Sequence, residues 1–385
     1  MKKILSLVLV LIMALSMLTA CGEKEPAELP YTPTQHNDMS VEYTSLSAEE
    51  LNKNLRIGWN LGNTLDAPDG ENSWGQPTTT PEMMAALKDL GFNLIRVPVS
   101  WHKHMDKENV IDEEWMDRVQ EIVDYAISLD MYVIINSHHD NDQYYPSKRI
   151  FESSGEEWFK AVWTQVAERF KDYDQHLIFE AMNEPRLSGT NHEWWCDTNS
   201  AECLEAVDII NKNNQIFVDA VRASGGRNTD RILMMSCYCG NGDYAAFEHF
   251  VIPTDTVEDR LMLSYHAYTP YNLAMGTDPN VTQFDANGEK EVNWVFQKIK
   301  AKFLDAGIPA VVTEMGCINK GNDFERYKWG KYYISKGKEY GVTCVWWDNQ
   351  HNSFGEETYA LFDRTNLKIF DECQEVYRGM MEGLE

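Results

Sequence analysis

Two glutamates lie where apolar runs of the sequence end, and their residue type and position suit acid–base or nucleophilic catalysis. Glu184 follows the run LIFEAM and Asn183, and Glu314 follows the run IPAVV and Thr313. Either motif alone is often only a strand-to-loop junction with a solvated side chain. Together they indicate a task, because a carboxylate directly after buried residues needs a partner or a function. Two such carboxyl groups at one site would suit glycosidic bond hydrolysis, with one as acid and the other as nucleophile or base.

Short apolar runs alternate with amphipathic segments, and this alternation predicts the elements that bring the two glutamates together. The predicted strands lie at residues 55–60, 93–99, 131–137, 177–183, 231–237, 260–266, 309–315 and 343–349. Helical spacing of apolar residues predicts helices near residues 81–90, 112–129, 155–172, 202–224, 292–306, 323–340 and 366–383. The pattern predicts a single (β/α)8 TIM barrel, whose strand ends converge on one face. A doubly wound open sheet competes, but no G-x-G-x-x-G or Walker turn follows an early strand.

Polar and aromatic residues collect at the C-terminal ends of the predicted strands, the face on which barrels build their sites. Arg96 shares a strand face with Leu94, and Glu314 with Val312, so both are expected to point inward. An arginine inside an apolar run needs a carboxylate partner, and Arg96 beside Glu314 would keep that glutamate ionised. Glu314 is therefore expected to titrate low, and its charge would make Glu184 titrate high.

His138, His139 and Asp140 stand together, and strand-end histidines with carboxylates can form a metal site. Neighbouring strand residues point to opposite faces, and His138 and His139 take part in no H-x-H or H-x-x-x-H spacing, so we expect neither metal nor cofactor. Trp346 or Trp347 should form the floor of a sugar pocket, because indole packs well against the C–H face of a sugar. Loop aromatics on the expected site side would extend this pocket into a cleft: Trp74, Trp101, Trp194 and Trp195.

The N-terminus has the pattern of an export signal followed by a linker. Residues 1–20 combine two lysines with an apolar run, and the stretch from Leu18 to Cys21 resembles the lipobox of bacterial lipoproteins. A plain secretory signal is the alternative. Residues 21–44 hold three prolines and little apolar content, which predicts a disordered tether from a lipidated Cys21. Residues 45–385 would then form one catalytic domain, extracellular and anchored to the cell membrane.

Charge and cysteine content narrow the expected partners. The formal net charge of −27 opposes binding to nucleic acid or anionic lipid, so the membrane would be reached only through the lipid anchor. A neutral polysaccharide is compatible with this charge, and we expect a monomer. Cys196 and Cys203 either form a disulfide or remain thiols, and zinc ligation is disfavoured because no C-x-x-C pair occurs.

Seven motifs in sequence order resemble those of glycoside hydrolase family 5. They are GWNLGNTLDA at 58–67, IRVPVSW at 95–101, the histidine pair at 138–139, MNEP at 182–185, SYHAY at 264–268, TEMG at 313–316 and WWDN at 346–349. The first motif resembles subfamily 4, a group of endo-β-1,4-glucanases. The resemblance implies a retaining enzyme with a (β/α)8 fold, Glu184 as general acid/base and Glu314 as nucleophile.

The same resemblance implies substrate-binding roles around the cleavage point. In it, Arg96 and Tyr268 orient Glu314, Asn183 bonds the 2-hydroxyl of the sugar, and Trp347 is the stacking platform. The full implied set is Asn63, Arg96, His138, His139, Asn183, His266, Tyr268, Trp347 and Asn349.

The implied substrate is a β-1,4-linked glucan such as cellulose or mixed-linkage glucan. Xyloglucanase, xylanase or mannanase activity on the same scaffold is the alternative, with a hemicellulose as partner. A non-catalytic glycan-binding lipoprotein would keep an aromatic cleft but would have no reason to hold both glutamates with Arg96 and Tyr268. Two segments depart from the family pattern near the expected aglycone side, residues 192–203 and 236–240, so they bear on substrate preference.

Overall fold

A computed structural model describes residues 44–241, 244–352 and 356–385, and its centre is a closed barrel of eight parallel strands. Each strand pairs with its neighbours in sequence, and the eighth closes on the first. The strands are β1 (Gly58–Asn60), β2 (Leu94–Val97), β3 (Tyr132–Asn136), β4 (Leu177–Glu180), β5 (Leu233–Ser236), β6 (Leu261–His266), β7 (Ala310–Met315) and β8 (Thr343–Trp346). The predicted (β/α)8 barrel is confirmed, and every strand falls within a predicted run.

Helices surround the barrel, and four of the eight longer ones begin at a side chain that accepts from a free backbone N–H. Asp112 caps the helix before β3, Ser200 the helix before β5, and Asp285 the helix before β7. Between β5 and β6 the described chain has only a short helix, Tyr244–Glu248. The longer helices are α1 (Ala48–Asn54), α2 (Pro81–Asp89), α3 (Glu113–Ile127), α4 (Glu156–Arg169), α5 (Ala201–Ala223), α6 (Ala286–Lys302), α7 (Asp323–Tyr340) and α8 (Gln374–Gly383).

The C-terminal helix predicted near residues 366–383 is shorter than expected. A two-stranded antiparallel hairpin, β9 (Phe362–Asp363) with β10 (Lys368–Ile369), occupies part of this segment, and α8 starts only at Gln374. The Asp363 carboxylate accepts from the backbone N–H groups of Thr365 and Asn366, both at 3.0 Å. This local bonding stabilises a turn in place of a helical start.

The lower half of the barrel is an apolar core that α1 closes at its N-terminal end. Ala48 and Leu51 of α1 pack with inward side chains of the strands, and all of these are buried. The strand members of this layer are Leu94, Tyr132, Ile134, Ile178, Met234, Met262, Val311 and Val345. Because apolar side chains fill this half, polar side chains concentrate at the opposite, C-terminal end.

The predicted signal segment, residues 1–20, and nearly all of the predicted tether, residues 21–44, lie outside the described residues. Within the described part of the chain, no helix combines the length and apolar character needed to cross a membrane.

Candidate active site

Arg96 is fully buried at the centre of the C-terminal barrel face, and all of its N–H groups have acceptors. Nε donates to Glu180 Oε2 at 2.7 Å, and Nη2 to Glu180 Oε1 at 3.2 Å and Asn183 Oδ1 at 2.8 Å. Nη1 donates to Asn60 Oδ1 at 3.0 Å and Glu314 Oε1 at 2.7 Å. Burial would lower the pKa of Arg96, but the two glutamates outweigh it and raise this pKa. The guanidinium is therefore a permanent cation that fixes four side chains.

Glu314 reaches this cation because β7 contains a bulge. Tyr265 of β6 pairs with Val312, but the next pair is His266 with Glu314, so Thr313 is an extra residue. Paired residues of parallel strands share a face, and a bulge reverses the alternation beyond it. Val312 therefore faces outward with Tyr265, and the expectation that Glu314 shares its face was wrong. Glu314 points inward with His266 because of the bulge.

The two glutamates meet on either side of His266. Glu314 Oε2 accepts from the Tyr268 hydroxyl at 3.0 Å, and Glu184 Oε1 lies 2.8 Å from His266 Nδ1. His266 Nδ1 is also 3.5 Å from Glu314 Oε2. One oxygen of each carboxylate and one ring nitrogen of the histidine all lie within 4.8 Å of one another. The loop after β4 and the ends of β6 and β7 thus build a two-carboxylate site.

The neighbours of Glu184 reverse its expected titration. Burial raises the pKa of Glu184, but the hydrogen bond and charge of His266 and the charge of Arg186 outweigh burial, so the pKa is lowered. Burial lowers the pKa of His266, but Glu314 and Glu184 outweigh it and raise the pKa. The expectation of a high pKa for Glu184 was wrong. It considered the negative charge of Glu314 but omitted the positive charges of His266 and Arg186. A raised pKa of His266 and a lowered pKa of Glu184 favour a hydrogen bond in which His266 Nδ1 donates to the Glu184 carboxylate, at 2.8 Å.

His138 and Trp347 form a flat wall beside the carboxylates. Their rings stack with centroids 5.7 Å apart and planes 3° from parallel. His139 meets His138 edge-on at 4.6 Å, and Trp74 lies 5.5 Å from His139 at the rim. Trp74 is 44% exposed, so the wall continues outward from the buried site. Such a surface suits the C–H faces of successive sugar rings.

The three asparagines of the expected set occupy different environments. The Oδ1 atom of Asn183 accepts from Arg96. Arginine can only donate, so the Nδ2 group of Asn183 must face away from that cation. Asn63 lies half-buried at the rim with φ of 56°, and its N–H donates to Asp66 Oδ2 at 3.0 Å. Asn349 is buried and uses its amide to hold the backbone of its own loop, at His351, Glu357 and Tyr359.

Two of the tryptophans that the sequence suggested for the site are core residues. Trp101 lies in the loop after β2, as expected, and is fully buried there, where its Nε1 donates to Asn136 O at 3.0 Å, so it packs in the core and does not line a cleft. Trp346 is fully buried as well, and its Nε1 donates to Tyr359 O at 2.8 Å. The exposed tryptophans of the loops are Trp74, Trp194 and Trp195.

Several site residues were absent from the expected set. Glu180 binds Arg96 twice and accepts from Ser264, whose hydroxyl also contacts Thr313. Glu180 could have been found, because its position two residues after Ile178 in an apolar strand places it inside the barrel. Arg186 gave no such signal, because it lies in a loop two residues after Glu184.

Among the residues that the structure describes, two groups could hold a metal ion: Asp66 with His138 and His139, and the two glutamates with His266. In the first, Asn136 Oδ1 accepts from Val99 N, so Asn136 Nδ2 faces His138 Nδ1 at 3.2 Å. Nδ1 must then accept, and the ring proton resides on Nε2, which blocks that nitrogen as a ligand. In the second group, the ring nitrogen beside the two carboxylates is His266 Nδ1, which is already hydrogen-bonded to Glu184 Oε1. Neither group is arranged in advance for an ion.

Comparisons with known proteins agree with this site. A family model described as "Cellulase (glycosyl hydrolase family 5)" matches residues 58–353. Endoglucanase A from Ruminococcus albus is 40% identical over 344 residues, which cover 86% of this chain and 92% of that protein. Endoglucanase A from Clostridium longisporum is 38% identical over 349 residues, 87% of this chain but 66% of that longer protein.

Solved structures give the same result. A GH5-4 broad specificity endoglucanase from Ruminococcus champanellensis with bound cellotriose is 40% identical, with a TM-score of 0.83 over 88% of this chain and 99% of that one. A glycoside hydrolase family 5 lichenase from Caldicellulosiruptor sp. F32 in complex with cellotetraose is also 40% identical, with a TM-score of 0.83 over 89% and 97% of the two chains.

Proposed function

We propose that Glu314 is the nucleophile and Glu184 the general acid/base of this chain, which belongs to glycosyl hydrolase family 5 and is a retaining endo-β-1,4-glucanase. Glu314 attacks the anomeric carbon while Glu184 protonates the leaving oxygen. Glu184 then takes a proton from the water that releases the sugar from Glu314. The family predicted from the seven motifs is confirmed, and the two residue roles are our proposal.

The observation that carries the proposal is the closeness of the two carboxylates. An oxygen of Glu184 and an oxygen of Glu314 lie within 4.8 Å. Retaining enzymes hold their carboxyl groups about 5–5.5 Å apart, whereas inverting enzymes need about 6.5–9.5 Å to admit a water between sugar and base. The short separation supports direct attack by one glutamate.

The surroundings support the division of roles. Glu314 accepts from Arg96 Nη1 at 2.7 Å and from the Tyr268 hydroxyl at 3.0 Å, and these two donors hold its carboxylate in a fixed position, as a nucleophile needs. Glu184 instead lies 2.8 Å from Nδ1 of His266, whose raised pKa keeps a proton next to this carboxylate. A carboxyl group with a proton at hand can donate it to a leaving oxygen and later recover one from water.

Azide rescue on 2,4-dinitrophenyl β-cellobioside separates the two roles, because this leaving group needs no acid. Glu184→Ala should still form the glycosyl-enzyme, which azide would open to a β-glycosyl azide. Glu314→Ala lacks the nucleophile, so azide would attack directly and give the α-glycosyl azide. Glu180→Gln is the matched control, because this buried carboxylate binds Arg96 without facing the sugar, and azide should not rescue it. An α product from Glu184→Ala would reverse the assignment.

We further propose that the cleft takes unbranched β-1,4-glucan and mixed-linkage glucan. The flat wall of Trp347 and His138 offers stacking without selecting any side-chain substituent. Related structures carry the names of a broad specificity endoglucanase and a lichenase, and contain cellotriose and cellotetraose. Xyloglucan, xylan and mannan remain the alternatives. Initial rates and product lengths on all five polymers would decide, and a higher kcat/KM on xylan or mannan would refute the glucan preference.

For location, we propose a lipoprotein on the outer face of a membrane, acting as a monomer. The motif ending in Cys21 supports this, and a flexible tether of the predicted length would span roughly 25–30 Å root-mean-square. Cys21→Ala, expressed in a lipoprotein-processing host, should release activity to the medium or leave the precursor uncleaved. Unchanged processing and membrane retention would refute lipidation. Light scattering on the released domain would test the monomer.

A further inference from the structure

The indole of Trp347 packs against the turn that follows β1. This turn comprises residues 62–66 and is called the β1 turn below. An added Cβ at Gly62 would lie only 2.9 Å from two carbon atoms of the Trp347 ring, so the edge of the ring contacts the backbone of the turn directly. Since the indole is only half-buried, any movement of the β1 turn would move it.

The β1 turn also reaches the histidine half of the flat wall. The Asp66 carboxylate accepts from Asn63 N at 3.0 Å and from Thr64 N at 2.6 Å. Asp66 Oδ2 lies 3.8 Å from His139 Nε2. The Thr64 hydroxyl donates to Gly62 O at 3.1 Å, which closes the turn on itself. The position of this one turn therefore bears on both halves of the wall.

Arg364 joins the β1 turn to the loop after β8. Its side chain is 1% exposed and comes from the segment that connects β9 with β10. Arg364 Nη1 donates to Thr64 Oγ1 at 2.8 Å, and Nη2 donates to Asp348 O at 2.7 Å. The same Asp348 oxygen accepts from Gly62 N at 3.1 Å. These four residues form a closed ring of hydrogen bonds, and Asp348 is the chain neighbour of Trp347.

Asp348 in turn holds the hairpin that carries Arg364. Asp348 Oδ2 accepts from Leu361 N at 3.0 Å, from Phe362 N at 2.8 Å and from one indole. That indole is Trp59, whose Nε1 lies 2.9 Å from Asp348 Oδ2. The guanidinium carbon of Arg364 lies 5.0 Å from the centre of the Trp59 ring. A buried cation with planar support and a nearby carboxylate has little freedom, so it can keep the atoms that it bonds at fixed positions.

We propose that Arg364 is a positioning residue for the sugar platform, and that the C-terminal hairpin is thereby part of the substrate-binding apparatus. Arg364 acts through the β1 turn, because its two terminal nitrogens are bonded to Thr64 and Asp348. It lies outside all seven sequence motifs. This inference rests on the proposed role of Trp347 as the stacking surface of the cleft.

A purely structural role of Arg364 predicts a different result from a positioning role. If Arg364 only stabilises the fold, its loss should lower activity by the same factor with or without the indole, because independent effects add as free energies. If it acts through Trp347, removal of the indole should abolish most of the effect. A double-mutant cycle between the two residues separates these cases.

The cycle measures kcat/KM on 2,4-dinitrophenyl β-cellobioside, whose reactive leaving group keeps slow variants measurable. Arg364→Met should lower kcat/KM by about 10-fold, because the platform is displaced. In a Trp347→Ala background the same substitution should lower it by less than about 2-fold. Equal factors in the two backgrounds, or no loss in Arg364→Met alone, would overturn the positioning role.

Thr64→Val tests the same link and keeps the cation, so it decides the question if Arg364→Met does not fold. It removes the hydroxyl that accepts from Arg364 and donates to Gly62. It should lower kcat/KM by about 3- to 5-fold, and only when Trp347 is present. Thr64→Ser keeps the hydroxyl and should recover the rate. A loss that serine does not recover would count against the hydrogen-bonded ring.

Arg222→Met is the matched control for lost stability. The Arg222 side chain is 6% exposed and pairs with Asp255 at 2.7 Å. It lies at the C-terminal end of α5, on the side of a barrel where the strands begin. Its loss breaks a buried ion pair, so Tm should fall while kcat/KM stays unchanged. A fall in kcat/KM like that of Arg364→Met would show that reduced stability alone explains the effect.

The same measurements distinguish this inference from the proposed function. If Trp347→Ala alone retains full activity, the stacking surface of the proposed function is wrong, and this inference falls with it. If Trp347→Ala is slow but the cycle with Arg364→Met is additive, the platform stands and only the role of Arg364 is refuted.

Discussion

Replacing Arg96 by methionine should destabilise the protein mainly by leaving two buried carboxylates without their cation. The side chains of Arg96 and Glu180 are 0% exposed, and that of Glu314 is 6% exposed. Removing one partner of a buried ion pair costs about 3–5 kcal/mol, because the remaining charge has no solvent. Methionine fills much of the arginine stem's volume, so the loss of packing contributes less than the loss of charge.

This cost should depend on pH. The folded Arg96→Met variant can relieve its buried charge by binding a proton that the unfolded chain does not bind at the same pH. Stability falls with pH wherever the folded state holds more protons, so the free energy of unfolding of the variant should fall as pH rises. The gap to the unsubstituted protein should therefore widen between pH 5 and pH 8, by at most about 1.4 kcal/mol per pH unit.

Urea unfolding followed by tryptophan fluorescence at pH 5, 6.5 and 8 measures this gap. Glu180→Gln in the Arg96→Met background removes one of the stranded charges and should recover part of the loss at pH 8. Glu180→Gln alone should be destabilising, because it strands part of the guanidinium. A gap below about 1 kcal/mol, a gap that does not change with pH, or a double variant less stable than Arg96→Met would refute the reasoning.

Three further predictions concern the surrounding side chains. Tyr268→Phe removes the 3.0 Å bond to Glu314 and should lower kcat/KM on cellotetraose by about 10- to 100-fold, with little change in Tm. Gly62→Ala would place a Cβ 2.9 Å from the Trp347 ring, so KM should rise about 10-fold as the platform shifts. The pKa of His266 is raised, so its stabilising contribution is full below its ordinary value of 6.5 and is lost as pH rises through the folded-state pKa. The urea-midpoint difference to His266→Gln should therefore shrink above that pH.

The sequence predicted the barrel because apolar runs alternate with segments of helical periodicity along the chain. Each barrel strand lies within one of those apolar runs. The same periodicity failed at Glu314. A count of alternating positions carries no information on the extra residue Thr313, which is accommodated only when β7 pairs with β6. The glutamate was placed correctly at the barrel mouth, but the alternation used to point it inward was wrong.

Contacts made by loop residues explain what the sequence pattern could not show. Trp101 appeared to be a loop aromatic, but its backbone N–H donates to Asp140 and its indole to Asn136, which draws it into the core. Asn349 has the side chain to bind sugar, but its own loop supplies partners for its amide. The titration of Glu184 depends on Arg186, whose direction no sequence pattern indicates. The positions of the strand ends were predictable because the apolar runs that form the strands can be read from the sequence. The directions of loop side chains depend on contacts with distant residues, which the sequence does not show.

The charges of the buried site balance when one proton is present. The carboxylates of Glu180, Glu184 and Glu314 carry three negative charges, and Arg96 and Arg186 carry two positive charges. A proton on His266, whose pKa is raised, supplies the third positive charge, so these six groups together are neutral, while Glu193, 3.5 Å from Arg186, adds one negative charge outside this set.

Under the proposed roles, the first half of the reaction preserves this balance. The proton passes through Glu184 to the oxygen of the departing sugar, and its departure removes one positive charge from the site. In the same step Glu314 becomes an ester and loses one negative charge. A low-dielectric site that stays neutral avoids the large cost of an unpaired buried charge at each stage. Arg186 is needed for that balance, which gives an electrostatic reason for a cation to stand beside the acid/base carboxylate.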